Sequence, residues 1–123
     1  MFEVEFYEDH SGKEPVKDFI KELQNKGQTS KTDRVRANKL LTYIRVLQTH
    51  GTRAGEPYTK HIDCDIWELR PFNDRVFFFY FKNNTYILLH HFVKKTRKTP
   101  PGEIDQAKKN MLDHIERSKN DGK

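Results

Sequence analysis

The run Val76-Phe77-Phe78-Phe79-Tyr80-Phe81 constrains this chain more than any other stretch. Consecutive apolar residues without alternation leave neither side of a strand for water. The run therefore predicts a strand buried on both faces, and hence a central one. Asn73-Asp74 before it and Asn83-Asn84 after it supply tight-turn chemistry. With the flanking segments 64–70 and 85–93, the middle strand at 75–82 reads as part of a three-stranded meander. Whatever the fold, it must cover the middle of a sheet.

The available cover is helical. Val16, Phe19, Ile20 and Leu23 follow the i, i+3, i+4, i+7 spacing of an amphipathic helix, opened by Pro15 and ended by Gly27. A polar loop at 27–33 offers Thr32 and Asp33 as N-caps for a second helix, roughly Arg34 to Thr49. Its stripe is Ala37, Leu40, Leu41, Ile44 and Leu47, and Gly51 stops it. The two form an antiparallel helical hairpin suited to one sheet face. Residues 2–7 alternate Phe2, Val4 and Phe6 with Glu3, Glu5 and Tyr7, which predicts a half-buried strand paired with the meander. Gly51 to His61 has no periodicity and reads as an ordered loop. Thr99-Pro100-Pro101 begins a last helix with Ile104, Ala107, Met111 and Ile115 on one face, and the tail from Ser118 should fray. The expected class is α+β: a single domain over 1–123 in the order strand, helix, helix, three strands, helix, with a mainly antiparallel sheet.

Composition narrows the partners. Only 34% of the 123 residues are hydrophobic, so the core must lean on aromatic side chains. The formal net charge of +5 favours a polyanion or an acidic protein as partner. The lone cysteine, Cys64, excludes an internal disulfide framework and a multi-Cys zinc site, and fits a reducing compartment. The N-terminus is acidic and alternating, unlike a signal peptide, and no apolar run approaches the ~20 residues of a membrane span. A cytoplasmic protein with no membrane association is expected.

Three groups of residues could carry chemistry. Arg70 and Arg75 flank the Pro71–Asp74 turn, so strand pairing would bring their forked donors together in a geometry suited to phosphate. The plainer reading is that one of them pairs with Glu68 or Asp74 and holds the turn. His90 and His91 end the third meander strand on opposite faces, so at most one serves a given site, where its near-neutral titration suits proton transfer. Lys94, Lys95, Arg97 and Lys98 follow at once; such a cluster is usually a solvated patch but could line a polyanion groove, with Lys60-His61 adding to it. Trp67, Tyr80 and Tyr86 could stack on bases, although strand aromatics are more often core. Cys64 lies between two aspartates, which raise a thiol's pKa rather than activate it. No metal-ligand set, Gly-rich phosphate loop or GxSxG motif is present, and no cofactor is expected.

At IWELRP (66–71), DRVFFFY (74–80), LLHHFVKKT (88–96) and KTPxxEIxxA (98–107), the sequence resembles the RelE/ParE toxin superfamily, with GTRAGEPYTKHI (51–62) pointing to its HigB-like, phage-derived branch. The resemblance covers nearly the whole chain. It implies a compact fold with helices on one face of a mainly antiparallel sheet. It also implies a ribosome-dependent, metal-independent mRNA endonuclease that stops translation. The implied partners are the ribosome, mRNA and a cognate helix-turn-helix antitoxin, in a toxin–antitoxin heterotetramer on operator DNA. Carried over by position, Arg75 matches the arginine opening the central strand, Lys95 the basic residue after the last strand, and Arg70 the basic residue late in the preceding strand. Lys94 and His91 join the same site. In the implied mechanism the RNA 2′-hydroxyl attacks the adjacent phosphate. Arg75 and Lys95 stabilise charge, Arg70 and Lys94 position phosphates, His91 moves the proton, and Lys60, Arg97 and Lys98 hold RNA. The tyrosine that closes some RelE-type sites has no counterpart, since no Tyr follows Tyr86, which leaves the general base open. Two other readings stand beside it: a non-cleaving toxin acting on a target such as DNA gyrase, and a plain nucleic-acid-binding module.

Overall fold

In the computed structural model, which describes residues 1–120, the elements are β1 (Glu3–Phe6), α1 (Pro15–Lys26), α2 (Lys31–His50), a short 3₁₀ turn (Gly51–Ala54), β2 (Thr59–Asp63), β3 (Ile66–Leu69), β4 (Asp74–Tyr80), β5 (Thr85–Val93) and α3 (Pro101–Asn120). The strands form one sheet in the order β1-β5-β4-β3-β2. All neighbours are antiparallel except β1, which runs parallel to β5. The apolar run is β4, the middle strand of five, buried from Asp74 through Phe79.

Its two faces lie in two separate cores. Val76 and Phe78 face the helical hairpin, together with Leu69 and Leu88, and meet Val16, Ile20 and Leu23 of α1 and Ala37, Leu40 and Leu47 of α2. Phe77 and Phe79 face the other way, with Ile66, Ile87 and Leu89, against Ala107 of α3. Ile104, Met111 and Ile115, the helical stripe read from sequence, pack on this second core. Truncating Phe78 to Ala should cost about 3–5 kcal/mol.

Three expectations need correction. The segment 51–61 is not simply a loop: its last residues open β2, so four strands rather than three follow the hairpin. The first meander strand, read as 64–70, splits at Cys64-Asp65 into the turn of a β2–β3 hairpin and the strand Ile66–Leu69. The second helix starts earlier than expected, at Lys31, because Ser30 is the N-cap: its side chain accepts from the Asp33 amide. Such a cap contributes about 1 kcal/mol. In the tail, Ser118–Asn120 continue α3, while the rest of the segment expected to fray, 121–123, lies outside the described residues. Gly27 does end α1, but with right-handed dihedrals. The reason for glycine there is space, since a Cβ would come within 2.9 Å of the Arg34 backbone.

The pairing of β4 with β5 is interrupted by a bulge. Phe77 faces His90 and Phe78 faces Leu88, so Leu89 has no partner on β4. The buried side chain of Asn110 donates to the Leu89 carbonyl at 2.9 Å, tying α3 to the bulge. Among the described residues no helix is long and apolar enough to cross a membrane.

Candidate functional site

Glu68 is the residue on which the charges converge. It sits mid-strand in β3, with its α-carbon opposite Lys60 of β2 and Phe77 of β4, and so faces the α3 side of the sheet. Its side chain is only 1% exposed. Arg70 Nε lies 3.2 Å and Arg75 Nε 3.8 Å from its Oε2. Neither makes a well-aligned hydrogen bond, and Oε1 has no partner at all. Burial pushes the Glu68 carboxyl pKa up, against the pull of Arg75, Arg70, Lys94 and Lys60. Burial likewise pushes the Arg75 guanidinium down, against the pull of Glu68. Both partners shift toward their neutral forms, so desolvation outweighs attraction at each end. Groups perturbed in this way mark a candidate functional site, and structural ion pairs share the pattern.

The two arginines are held differently. Arg75 is 8% exposed, and its Nη1 donates to the carbonyls of Phe72 at 2.7 Å and Asp74 at 2.9 Å. It therefore braces the β3–β4 turn with one edge and faces Glu68 with the other. Arg70 Nη1 reaches the exposed Glu56 at 2.8 Å. The plainer sequence reading, one arginine pairing with Glu68, holds for both.

Four of the expected residues are thus brought together: Arg70, Arg75, Lys60 and Lys94. The Lys94 amide donates to the Asn73 carbonyl at 2.8 Å, placing it beside the β3–β4 turn. Lys95, Arg97 and Lys98 are exposed in the connection between β5 and α3, and make no ion pair among the described residues. His91 is not part of this grouping. It lies opposite Val76, on the helical-hairpin face, with its ring stacked on Phe19 at 3.5 Å. Burial, with a smaller push from His90, brings its pKa down to about 4. The other histidine, His90, lies opposite Phe77 on the Glu68 side, with Nε2 2.6 Å from Glu103 of α3. Of the aromatics considered for stacking, Tyr86 is buried in the hairpin core.

Sequence reasoning treated Glu68 only as a salt-bridge partner. A signal was present: in IWELRP the glutamate is in phase with Ile66, on a face that a central neighbour strand must bury. Among the described residues, no group of three or more His, Cys, Asp or Glu is arranged to hold a metal ion.

No curated protein matches this chain. Residues 18–112, most of the chain, match the family described as phage-derived protein Gp49-like. Most of the hairpin (all but the first turn of α1), strands β2–β5 and the first half of α3 fall within that match, and so does every residue around Glu68. The chain belongs to the phage-derived Gp49-like family, which is in general terms a RelE-like, toxin-like family.

Proposed function

We propose that this protein is the toxin of a toxin–antitoxin pair and that it cuts mRNA on the ribosome without a metal ion. The observation that carries the reading is the unpartnered Oε1 of Glu68 beside Arg70, Arg75 and the lysines at 60 and 94. RNA carries its own nucleophile in the 2′-hydroxyl. Cutting then needs a base for that proton, cations for the phosphorane, and an acid for the departing 5′-oxygen. Glu68 fits the base in that burial raises its pKa and its Oε1 has no partner; that oxygen is closed to solvent, so the role requires the surface over it to open when RNA binds. Arg75 and Arg70 fit the charge-stabilising role. The proton for the 5′-oxygen comes from the ammonium pair Lys94-Lys95, and Lys60, Arg97 and Lys98 contact flanking phosphates. The products are a 2′,3′-cyclic phosphate and a 5′-hydroxyl. His91 has no part in this chemistry, because it faces Phe19 across the sheet. The partner that silences the toxin is a helix-turn-helix antitoxin.

A second reading has one observation in its favour. Glu68 and Arg75 are nearly closed to solvent, and Arg75 already spends two bonds on its own turn. A toxin that binds a target such as DNA gyrase without cutting would keep the cluster as a structural brace. Translation of a defined message on purified ribosomes, with mapping of new 5′-hydroxyl ends, separates the two. Cuts that appear only during translation support the nuclease. Growth arrest with intact messages sinks it and leaves the non-cutting toxin.

A further inference from the structure

We infer that Phe72 is a stacking platform that holds one nucleobase of single-stranded RNA beside the Glu68 cluster. The inference rests on the nuclease reading and adds a binding residue to it. Phe72 sits at the tip of the β3–β4 turn and is 57% exposed, whereas Phe77, Phe78 and Phe79 are buried. Its φ is +54°, a left-handed backbone that bulky residues rarely adopt and that Gly or Asn adopts readily. No packing need explains a large ring here, and the backbone disfavours it.

What holds the ring in place is the site itself. The Asp74 amide closes the turn onto the Pro71 carbonyl at 3.0 Å, and Arg75 Nη1 donates to the Phe72 carbonyl at 2.7 Å. The guanidinium that flanks Glu68 thereby anchors the backbone that carries the ring. From α2, Lys39 Nζ lies 4.9 Å from the ring centroid. The ring is therefore an exposed π surface with one cation over it and a second, Arg75, bound to its backbone. Single-stranded RNA offers the matching pattern, a flat base joined to a phosphate, and exposed aromatic rings among cations are how proteins bind it. A protein docking on this ring would want an apolar surround, whereas Asn73, Lys39 and Arg75 lie beside it with Pro71.

The test uses the full chain and a fluorescein-labelled 2′-O-methyl oligoribonucleotide, which cannot be cut, with anisotropy read at low salt. Phe72→Gly removes the ring and relieves the backbone. It should melt no lower than wild type yet bind about 5- to 100-fold more weakly. Phe72→Trp should keep the affinity within about threefold, with the added indole fluorescence quenched on binding. An oligonucleotide with one abasic position should weaken wild type at that position and leave Phe72→Gly indifferent. If Phe72→Gly binds as tightly as wild type while affinity still falls with salt, stacking is overturned and the phosphate cluster stands. If wild type does not bind the oligonucleotide at all, the stacking inference falls, while the nuclease reading stands or falls by cleavage on translating ribosomes.

Discussion

Two buried carboxylates, Asp74 and Glu68, lie on adjacent strands and face opposite sides of the sheet, and they are treated in opposite ways. Asp74 is 3% exposed and fully partnered. Arg36 of α2 grips it with two bonds, Nε to Oδ2 at 3.1 Å and Nη2 to Oδ1 at 2.8 Å. That grip raises the Arg36 pKa. Glu68 has more cations around it and is worse satisfied, with one oxygen bare and both Glu68 and Arg75 pushed toward neutrality. Counting nearby charges would rank Glu68 as the better-paired group; bond geometry reverses the order. A bidentate pair at a helix–sheet seam is mortar. A crowded, misaligned one is a candidate for a reactive site.

The contrast can be broken most decisively by activity. Arg75→Ala and Glu68→Gln should each slow ribosomal cleavage by about 100- to 1000-fold, read as the rate of new 5′-hydroxyl ends. Wild-type rates in either variant would reduce the Glu68 cluster to a second structural pair. Next in size is the hairpin face. His91 is held neutral, with a folded pKa of about 4 against an ordinary 6.5. Between those values the unfolded chain takes up a proton that the folded one refuses. Stability should therefore hold above pH 6.5 and fall by up to about 3 kcal/mol as the pH drops toward 4. Urea titrations across that range check it, and His91→Phe should flatten the slope. Asp74→Ala leaves Arg36, whose guanidinium is partly reachable by water, with Asp33 alone, and should cost about 2 kcal/mol in the same assay. The smallest effect expected is that of Glu68→Gln on stability, under about 1 kcal/mol at neutral pH. Its sign sharpens the comparison. Because the folded pKa of Glu68 is raised, its contribution is most favourable in acid and is lost as the pH rises through that pKa. The variant should gain on wild type as the pH rises.

The fold was legible where side-chain pattern and burial coincide. β4 announces itself because its run from Val76 to Phe79 is apolar without alternation, and α1, α2 and α3 because their stripes keep helical spacing. β2 was not legible. Thr59–Asp63 carries Lys60, His61 and Asp63 on an edge strand, where charge is a defence against stray pairing rather than a sign of coil. Its turn also lacks the usual residues, since Cys64 takes a positive φ without being Gly or Asn. For the site, the convergence of Arg70 and Arg75 followed from the turn between them. The faces of His90 and His91 did not, because strand parity says only that they differ. Glu68 and Phe72 escaped because burial of a carboxylate and exposure of an aromatic ring both run against what residue type suggests.

The parallel pairing of β1 with β5 sets an order of events during synthesis. Glu3–Phe6 are made before Thr85–Leu88 but find their place only against them. The β3–β4 turn and its cluster can close from neighbouring residues well before that. β1 therefore waits unpaired while the hairpin, β2, β3 and β4 are made, and the sheet gains that edge only once β5 has followed.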